Sequence, residues 1–250
     1  MEVFQIVLFG FLLGSFASAA PSNSGQETPL EDDQELFEGD IKLPPEFDRA
    51  AMNFHYFQNW FSCWPFKTVP YVISSSFSST EKSQILKAMD EFHKHTCVRF
   101  VPRFLQLHYL SIKKLDGCWS YVGKNFFPGP QDLSLGLGCL TTLGTPVHEL
   151  MHAIGFWHEQ SRPDRDDYVT IHWDQIPDAY ESNFQKLTSA QVNSFGSAYD
   201  FDSVMHYSKY AFALGSLPTI TAIDDPNRQL GQRDGFSEQD IIQINKLYNC

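Results

Sequence analysis

The stretch that most constrains this chain runs from Thr145 to Asp166, TPVHELMHAIGFWHEQSRPDRD. Thr145 is a good N-cap and Pro146 suits a first helical turn, so a helix is expected to open just before His148. At about 100° per residue, Val147, Leu150, Met151 and Ile154 fall on one arc, while His148 and His152 lie one turn apart on another. Two imidazoles so placed can share a metal ion. His158 follows six residues after His152, and on a continuing helix it would point about 240° away. The helix therefore has to end. Gly155 is where it can, because glycine accepts the left-handed backbone of a C-cap and lets the chain swing back. His148, His152 and His158 then become three neutral nitrogen ligands.

Three protein ligands with one position left open is the pattern of a catalytic zinc site, whereas structural zinc has all four positions closed. Glu149 lies beside the metal face without being on it, where a carboxylate can take a proton from water, so it is the candidate general base. With 9 His in 250 residues, a chance H-E-x-x-H is expected only about 0.02 times per chain.

Composition sets the rest of the frame. The formal net charge of −12 argues against nucleic acid or an anionic membrane surface as partner. Much of it sits in residues 20–49, which carry nine acidic and two basic side chains. Residues 1–20 combine an apolar stretch, Val3 to Leu13, with small residues ending in Ala17-Ser18-Ala19. That is the pattern of a signal peptide and too short for a membrane span. A secreted, extracellular protein is expected, with cysteines that pair. No N-x-S/T sequon occurs in the chain.

The histidine run continues through Glu159, Arg162, Asp164, Arg165 and Asp166, and as a whole it resembles the extended zinc signature of the astacin family of secreted metalloendopeptidases. Ser203-Val204-Met205-His206-Tyr207 resembles that family's Met-turn. The resemblance implies one catalytic Zn2+ held by His148, His152 and His158, with Met205 beneath it and Tyr207 as a phenol that contacts the metal and stabilises the transition state. His206 is read as a structural member of the turn. His55, His93, His95, His108 and His172 have no ligand spacing. The Arg162 to Asp166 run is expected to form a buried ion-pair network.

Upstream, Phe37-Glu38-Gly39-Asp40 resembles the F-x-G-D motif of astacin propeptides, which implies that Asp40 ligates the zinc and keeps the precursor latent. Arg49 offers a cut site for a trypsin-like activating protease, leaving Ala50 as the new N-terminus. In the family that ammonium is buried beside the glutamate corresponding to Glu159. The organisation expected is therefore signal peptide 1–20, propeptide 21–49 and protease domain 50–250, with no accessory domain after Cys250.

The fold class expected is α+β, a two-subdomain astacin-like protease. Its upper half should hold a mixed twisted sheet, with strands near Val69–Ile73, Val98–Val101, Leu107–Ile112, Tyr121–Val122 and Leu133–Leu135. Two long helices accompany it, one opening at Ser79 or Thr80. Gln131 to Gly136 is expected as the edge strand that takes an extended peptide, its rim shortened by Pro128 and Pro130. The lower half should be loop-rich, with a closing helix near Ser237 to Tyr248.

Five cysteines leave fifteen ways to form two bridges. The resemblance selects Cys97 with Cys250 and Cys118 with Cys139. Cys63 stays outside both, expected as a thiol or in a bond to another molecule, because the partner cysteine of its relatives is absent from residues 51–55. The nearest subgroup is that of the fish hatching enzymes, which implies hydrolysis of egg-envelope proteins and storage in secretory granules. Two alternatives are a secreted protease with an adult-tissue substrate and a non-catalytic secreted binding homologue; the presence of Glu149 speaks against the second.

Overall fold

In the computed structural model, which describes residues 36–44 and 63–250, the β-rich stretches assemble into one mixed sheet of seven strands. The expected signal peptide, the Arg49–Ala50 junction and His55 lie outside the described residues. The strands are β1 (Leu36–Phe37), β2 (Ile41–Lys42), β3 (Thr68–Ile73), β4 (Arg99–Pro102), β5 (His108–Lys113), β6 (Cys118–Ser120) and β7 (Gly129–Leu135), ordered β1-β2-β6-β7-β5-β3-β4. Strands β4, β3, β5 and β7 run parallel, β6 is antiparallel to β7, and β2 lies parallel against β6. β1 and β2 form a hairpin, Phe37 opposite Ile41.

Two helices build the core with this sheet. α1 (Ser79–His95) opens with a capping box in which Ser78 accepts from Glu81 N–H and the Glu81 carboxylate accepts from Ser78 N–H. The cap is thus one residue earlier than expected, because the box needs its acid at the third helical position. Its buried face is Ile85, Ala88, Met89 and Phe92, each large side chain worth about 1.5–3 kcal/mol of burial. α2 (Gly144–Ala153) is the histidine helix. It opens before Thr145, and no side chain caps it. Tertiary contact does that work: Gly144 N–H donates to Arg233 O at 2.8 Å, and a Cβ at Gly144 would lie 2.2 Å from the Arg233 carbonyl carbon.

β7 is an internal strand, flanked by β5 and β6, so Gln131–Gly136 is not the edge expected. A two-residue alternation is the same for an edge and an inner strand, and only the pairing decides. With the β1–β2 hairpin set aside, the sheet ends at β4 and β6, and the strand expected at Tyr121–Val122 lies instead at Cys118–Ser120. Nor do the prolines shorten β7. Gly129 N–H donates to Leu107 O on the β5 side, so Pro130 turns its nitrogen to the other side, where β6 pairs only with Leu133–Leu135.

Beyond Phe156 the chain makes short 3-10 turns and one small antiparallel pair, β8 (Val169–Ile171) with β9 (Ile220–Ala222). A second core forms there around Val169, Phe184, Tyr199, Tyr207 and Ile220. The closing helix, α3 (Glu238–Leu247), has a capping box of Ser237 and Asp240. It was expected to belong to the lower half, yet Ile244 and Tyr248 join the upper core, and the Tyr248 hydroxyl donates to Ile154 O at 2.9 Å. Cys97–Cys250 ties this end of the chain to the end of α1, and Cys118–Cys139 ties β6 to the approach to α2. Neither bridge includes Cys63, whose thiol is pushed up to about 11 by burial.

If the Gly144–Arg233 contact seats the histidine helix, Gly144→Ala should cost about 1–3 kcal/mol, as overpacking against a rigid neighbour does. Urea unfolding reads this as a lower midpoint, and an unchanged midpoint would refute the seating.

Candidate active site

α2 presents His148 and His152 on one face, and Gly155 then reverses the chain. With φ at +118°, Gly155 donates to His152 O and Phe156 N–H to Met151 O, at 2.8 and 3.2 Å. The turn returns His158 to the other two. His148 Nε2 lies 3.1 Å from His152 Nε2 and 3.3 Å from His158 Nε2. All three rings are essentially without solvent exposure.

The outer nitrogen of each ring is committed. His148 Nδ1–H donates to Val204 O and His152 Nδ1–H to Phe156 O, both at 2.7 Å. His158 Nδ1–H donates to the Glu38 carboxylate at 2.6 Å. With each Nδ1 turned to an oxygen, the three Nε2 atoms face one point, the orientation that a hydrogen-bond partner behind the ring imposes on metal-ligating histidines. Asp40 comes from the β1–β2 hairpin to the same point. Its Oδ2 is 3.0 Å from His148 Nε2 and 3.2 Å from His158 Nε2, with His152 Nε2 3.5 Å from Oδ1.

Burial and charge shape these groups. Burial, reinforced by Arg233, pushes His148 down to about 3. Burial also opposes charge on His158, but Asp40 and Glu38 outweigh it and raise that imidazole to about 9. Asp40 is held well below the usual carboxylate range despite its burial, through the positive charge favoured on His158 and the three imidazoles packed against it. Glu149 is 2% exposed, and burial together with the Asp40 charge pushes its carboxyl well above the usual range. Its Oε2 is buried without a hydrogen-bond partner, and the Asp40 charge that acts on it places it near the site.

The donor set fits zinc. The ligand atoms of Asp40, His148, His152 and His158 all lie within 4.8 Å of one another. Zinc–nitrogen bonds of about 2.0–2.1 Å in a tetrahedron place ligand atoms about 3.3–3.4 Å apart, close to the 3.1 and 3.3 Å seen here. Three neutral nitrogens and one carboxylate are also the ligand types zinc takes.

With that geometry in view, comparison with known proteins decides the lineage. Residues 57–249 match the profile of the Astacin peptidase family. The chain belongs to the astacin family. Among solved structures, High choriolytic enzyme 1, a hatching enzyme zinc-protease from the medaka Oryzias latipes, is similar at 43% identity. It has a TM-score of 0.69 and covers 73% of this chain and 90% of its own. Human meprin A subunit beta is 45% identical over 217 residues, 86% of this chain and 30% of the relative. Blastula protease 10 of Paracentrotus lividus is 48% identical over 195 residues, 75% of this chain and 32% of the relative. The chain thus spans about a third of the length of these two relatives.

The remaining residues of the astacin signature surround the site. Met205 is 1% exposed, and its carbonyl accepts from Glu159 N–H at 3.1 Å. The Tyr207 ring is 4.8 Å from that of His158, and its hydroxyl donates to Glu38 O at 2.6 Å. Burial pushes Glu159 up to about 7, against the pull of Arg162. Its Oε1 accepts from Arg162 and from Asp200 N–H, both at 2.9 Å. Arg162 and Arg165 are buried, while the Asp164 and Asp166 side chains stay 40% and 57% exposed. The expected network is therefore buried only at its arginines, which also donate to the Ser197, Ala198 and Gln160 carbonyls. His93 and His172 bond elsewhere, to Phe100 N–H and Thr221 Oγ1.

Sequence reading missed Glu38 and Asp240. Asp240 accepts from Ser203 Oγ at 2.6 Å and Val204 N–H at 2.9 Å, anchoring the segment whose Val204 carbonyl holds His148. In the sequence it looks like an ordinary acid of a capping box. The only signal for Glu38 was its place inside F-E-G-D.

His206 carries the pH prediction. Its Nδ1–H donates to Tyr207 O and its Nε2 accepts from Tyr199, both at 2.8 Å. Burial, aided by Arg233, pushes the imidazole down to about 4. The folded state disfavours the proton more than the unfolded chain does. The contribution is therefore complete above about pH 6.5 and lost as pH falls toward 4, about 3 kcal/mol in all. Urea unfolding from pH 7 to 4 should show a shallower decline for His206→Gln than for the wild type; parallel declines would refute it.

Proposed function

We propose that this astacin is the latent precursor of a secreted zinc endopeptidase that hydrolyses protein substrates. The observation that carries the reading is the convergence of three Nδ1-anchored imidazoles on the Asp40 carboxylate beside the buried, unpartnered Glu149 oxygen. His148, His152 and His158 hold the metal. Zinc, when bound, supplies a Lewis acid that polarises the scissile carbonyl and makes water easier to deprotonate. Glu149 accepts the proton of the attacking water and returns it to the leaving amine. Tyr207, once free of the Glu38 carbonyl, steadies the oxyanion.

Two features support latency. The Asp40 carboxylate lies against all three Nε2 atoms, where it would fill the position that a catalytic zinc leaves open for water. β2 covers the β6 edge, with Ser120 N–H donating to Asp40 O at 3.0 Å, so that no extended substrate can add a strand there. Activation is proposed as cleavage after Arg49 by a trypsin-like protease. Glu159 opens on a cavity of about 470 Å³ lined also by Gly155, Arg162, Val192 and Gln243. That space and the buried carboxylate suit the ammonium of Ala50. Secretion rests on the signal-peptide pattern of residues 1–20, and no helix among the described residues is long and apolar enough to cross a membrane.

Egg-envelope proteins are the substrates we propose, on the likeness to the medaka hatching enzyme. A comparable identity to human meprin A subunit beta shows that the likeness is not confined to hatching enzymes, so an adult-tissue substrate is the second reading, and transcript localised to embryonic hatching glands separates the two.

Glu149→Gln in the activated enzyme should keep its zinc and lose about 10²- to 10⁴-fold in turnover on casein; a zinc-replete variant with near-normal turnover would eliminate Glu149 as the base. Asp40→Ala should give an uncut precursor with measurable peptidase activity. Complete latency in a well-folded Asp40→Ala precursor would show that steric cover, and not ligation, does the blocking.

A further inference from the structure

Asp40 accounts for only one of the contacts the propeptide makes at the site. The hairpin tip Glu38-Gly39-Asp40 turns on two consecutive left-handed residues, Glu38 at φ +52° and Gly39 at φ +83°. Gly39 suits its place twice over, since a Cβ there would lie 2.6 Å from Phe212 Cζ. For Glu38 that backbone is uncommon and costs free energy, so something at the tip has to compensate. The Glu38 side chain is fully buried, which for an isolated carboxylate would be a heavy penalty. It is not isolated. Oε2 accepts from His158 Nδ1 at 2.6 Å and Oε1 from Ser161 Oγ at 2.7 Å.

The contrast with the other two ligands is what matters. His148 and His152 are oriented by backbone carbonyls of the protease domain itself, Val204 and Phe156. His158 is oriented by a side chain that leaves when the propeptide leaves. A carboxylate on the outer nitrogen of a ligating histidine fixes its tautomer and ring orientation and raises its basicity toward the metal.

We propose that Glu38 is a positioning residue for zinc in the precursor: through His158 Nδ1 and Ser161 it orients the third ligand, so that the propeptide strengthens metal binding as well as covering the site. The proposal rests on reading the three histidines as the zinc ligands. It separates two functions within one hairpin tip. Asp40 closes the site from inside, while Glu38 supports it from behind. On activation the enzyme loses both, and its third ligand keeps only what the protease domain provides.

The test compares wild-type, Glu38→Gln and Glu38→Ala precursors, full chain with the activation site intact, by competition for zinc against a chromophoric chelator. The Gln variant removes the charge and keeps a hydrogen-bonding shape, and the Ala variant removes both. Each should bind zinc about 10- to 100-fold more weakly than wild type, Ala at least as weakly as Gln. In the cobalt-substituted precursors the visible bands should shift for Glu38→Gln, because the ligand field at His158 changes. Cleavage after Arg49 then supplies an internal control, since the mature enzymes released from all three precursors are the same polypeptide. Equal zinc affinity of those products shows that the variant precursors folded correctly. Zinc affinity and cobalt spectra unchanged in both variants would overturn the role of Glu38 while leaving the zinc site standing. A wild-type precursor that takes up no zinc would instead overturn the reading of the site on which the proposal rests.

Discussion

Everything at the centre of this molecule depends on three imidazole lone pairs being held toward one point. Imidazole nitrogens only 3.1 and 3.3 Å apart repel one another unless a cation or a shared proton lies between them. The arrangement persists because each ring is fixed from behind by an Nδ1–H bond to oxygen. The fold can be read as the means of supplying those oxygens. α2 and its Gly155 turn bring Phe156 O to His152, and the Met-turn brings Val204 O to His148. Asp240 on α3 in turn holds Ser203 and Val204.

The same logic explains why the lower half needs so little regular structure. Its task is to place the Val204 carbonyl, the Tyr207 phenol and the Arg162 guanidinium, and each is held by a few short hydrogen bonds. Arg162 grips Glu159 and Asp164 together with two backbone carbonyls, so the loop after His158 is fixed without a helix or a sheet. The upper half supplies rigidity: a sheet and two helices around one apolar core, with α3 recruited to it through Ile244 and Tyr248.

The β1–β2 hairpin engages the site through the site's own chemistry. It extends the sheet by two strands, β2 parallel to β6 and β1 antiparallel to β2, seats Phe37 and Ile41 in a small apolar cluster with Leu187, and delivers one carboxylate to each side of His158. Sheet pairing gives the register, the apolar residues give affinity, and the two acids give specificity for a cationic centre.

Much of this was legible from the chain alone. Helical periodicity places His148 and His152 on one face whatever surrounds them, and Gly155 marks where a left-handed turn can occur, because both are consequences of local backbone geometry. The cysteine pairs and Asp40 were reached through motifs. What sequence could not decide was anything set by contacts between distant segments. Gly144 against Arg233 moved the start of α2 ahead of its apparent cap. Pairing, invisible in a two-residue alternation, made β7 an inner strand and left β6, not β7, as the strand that meets the β1–β2 hairpin. Glu38 and Asp240, ordinary acids in the sequence, became supports of the site only when the fold placed them 2.6 Å from His158 Nδ1 and Ser203 Oγ. A residue's local conformation is encoded within a few neighbours, whereas its hydrogen-bond partner can lie more than a hundred residues away and exists only once the core has closed.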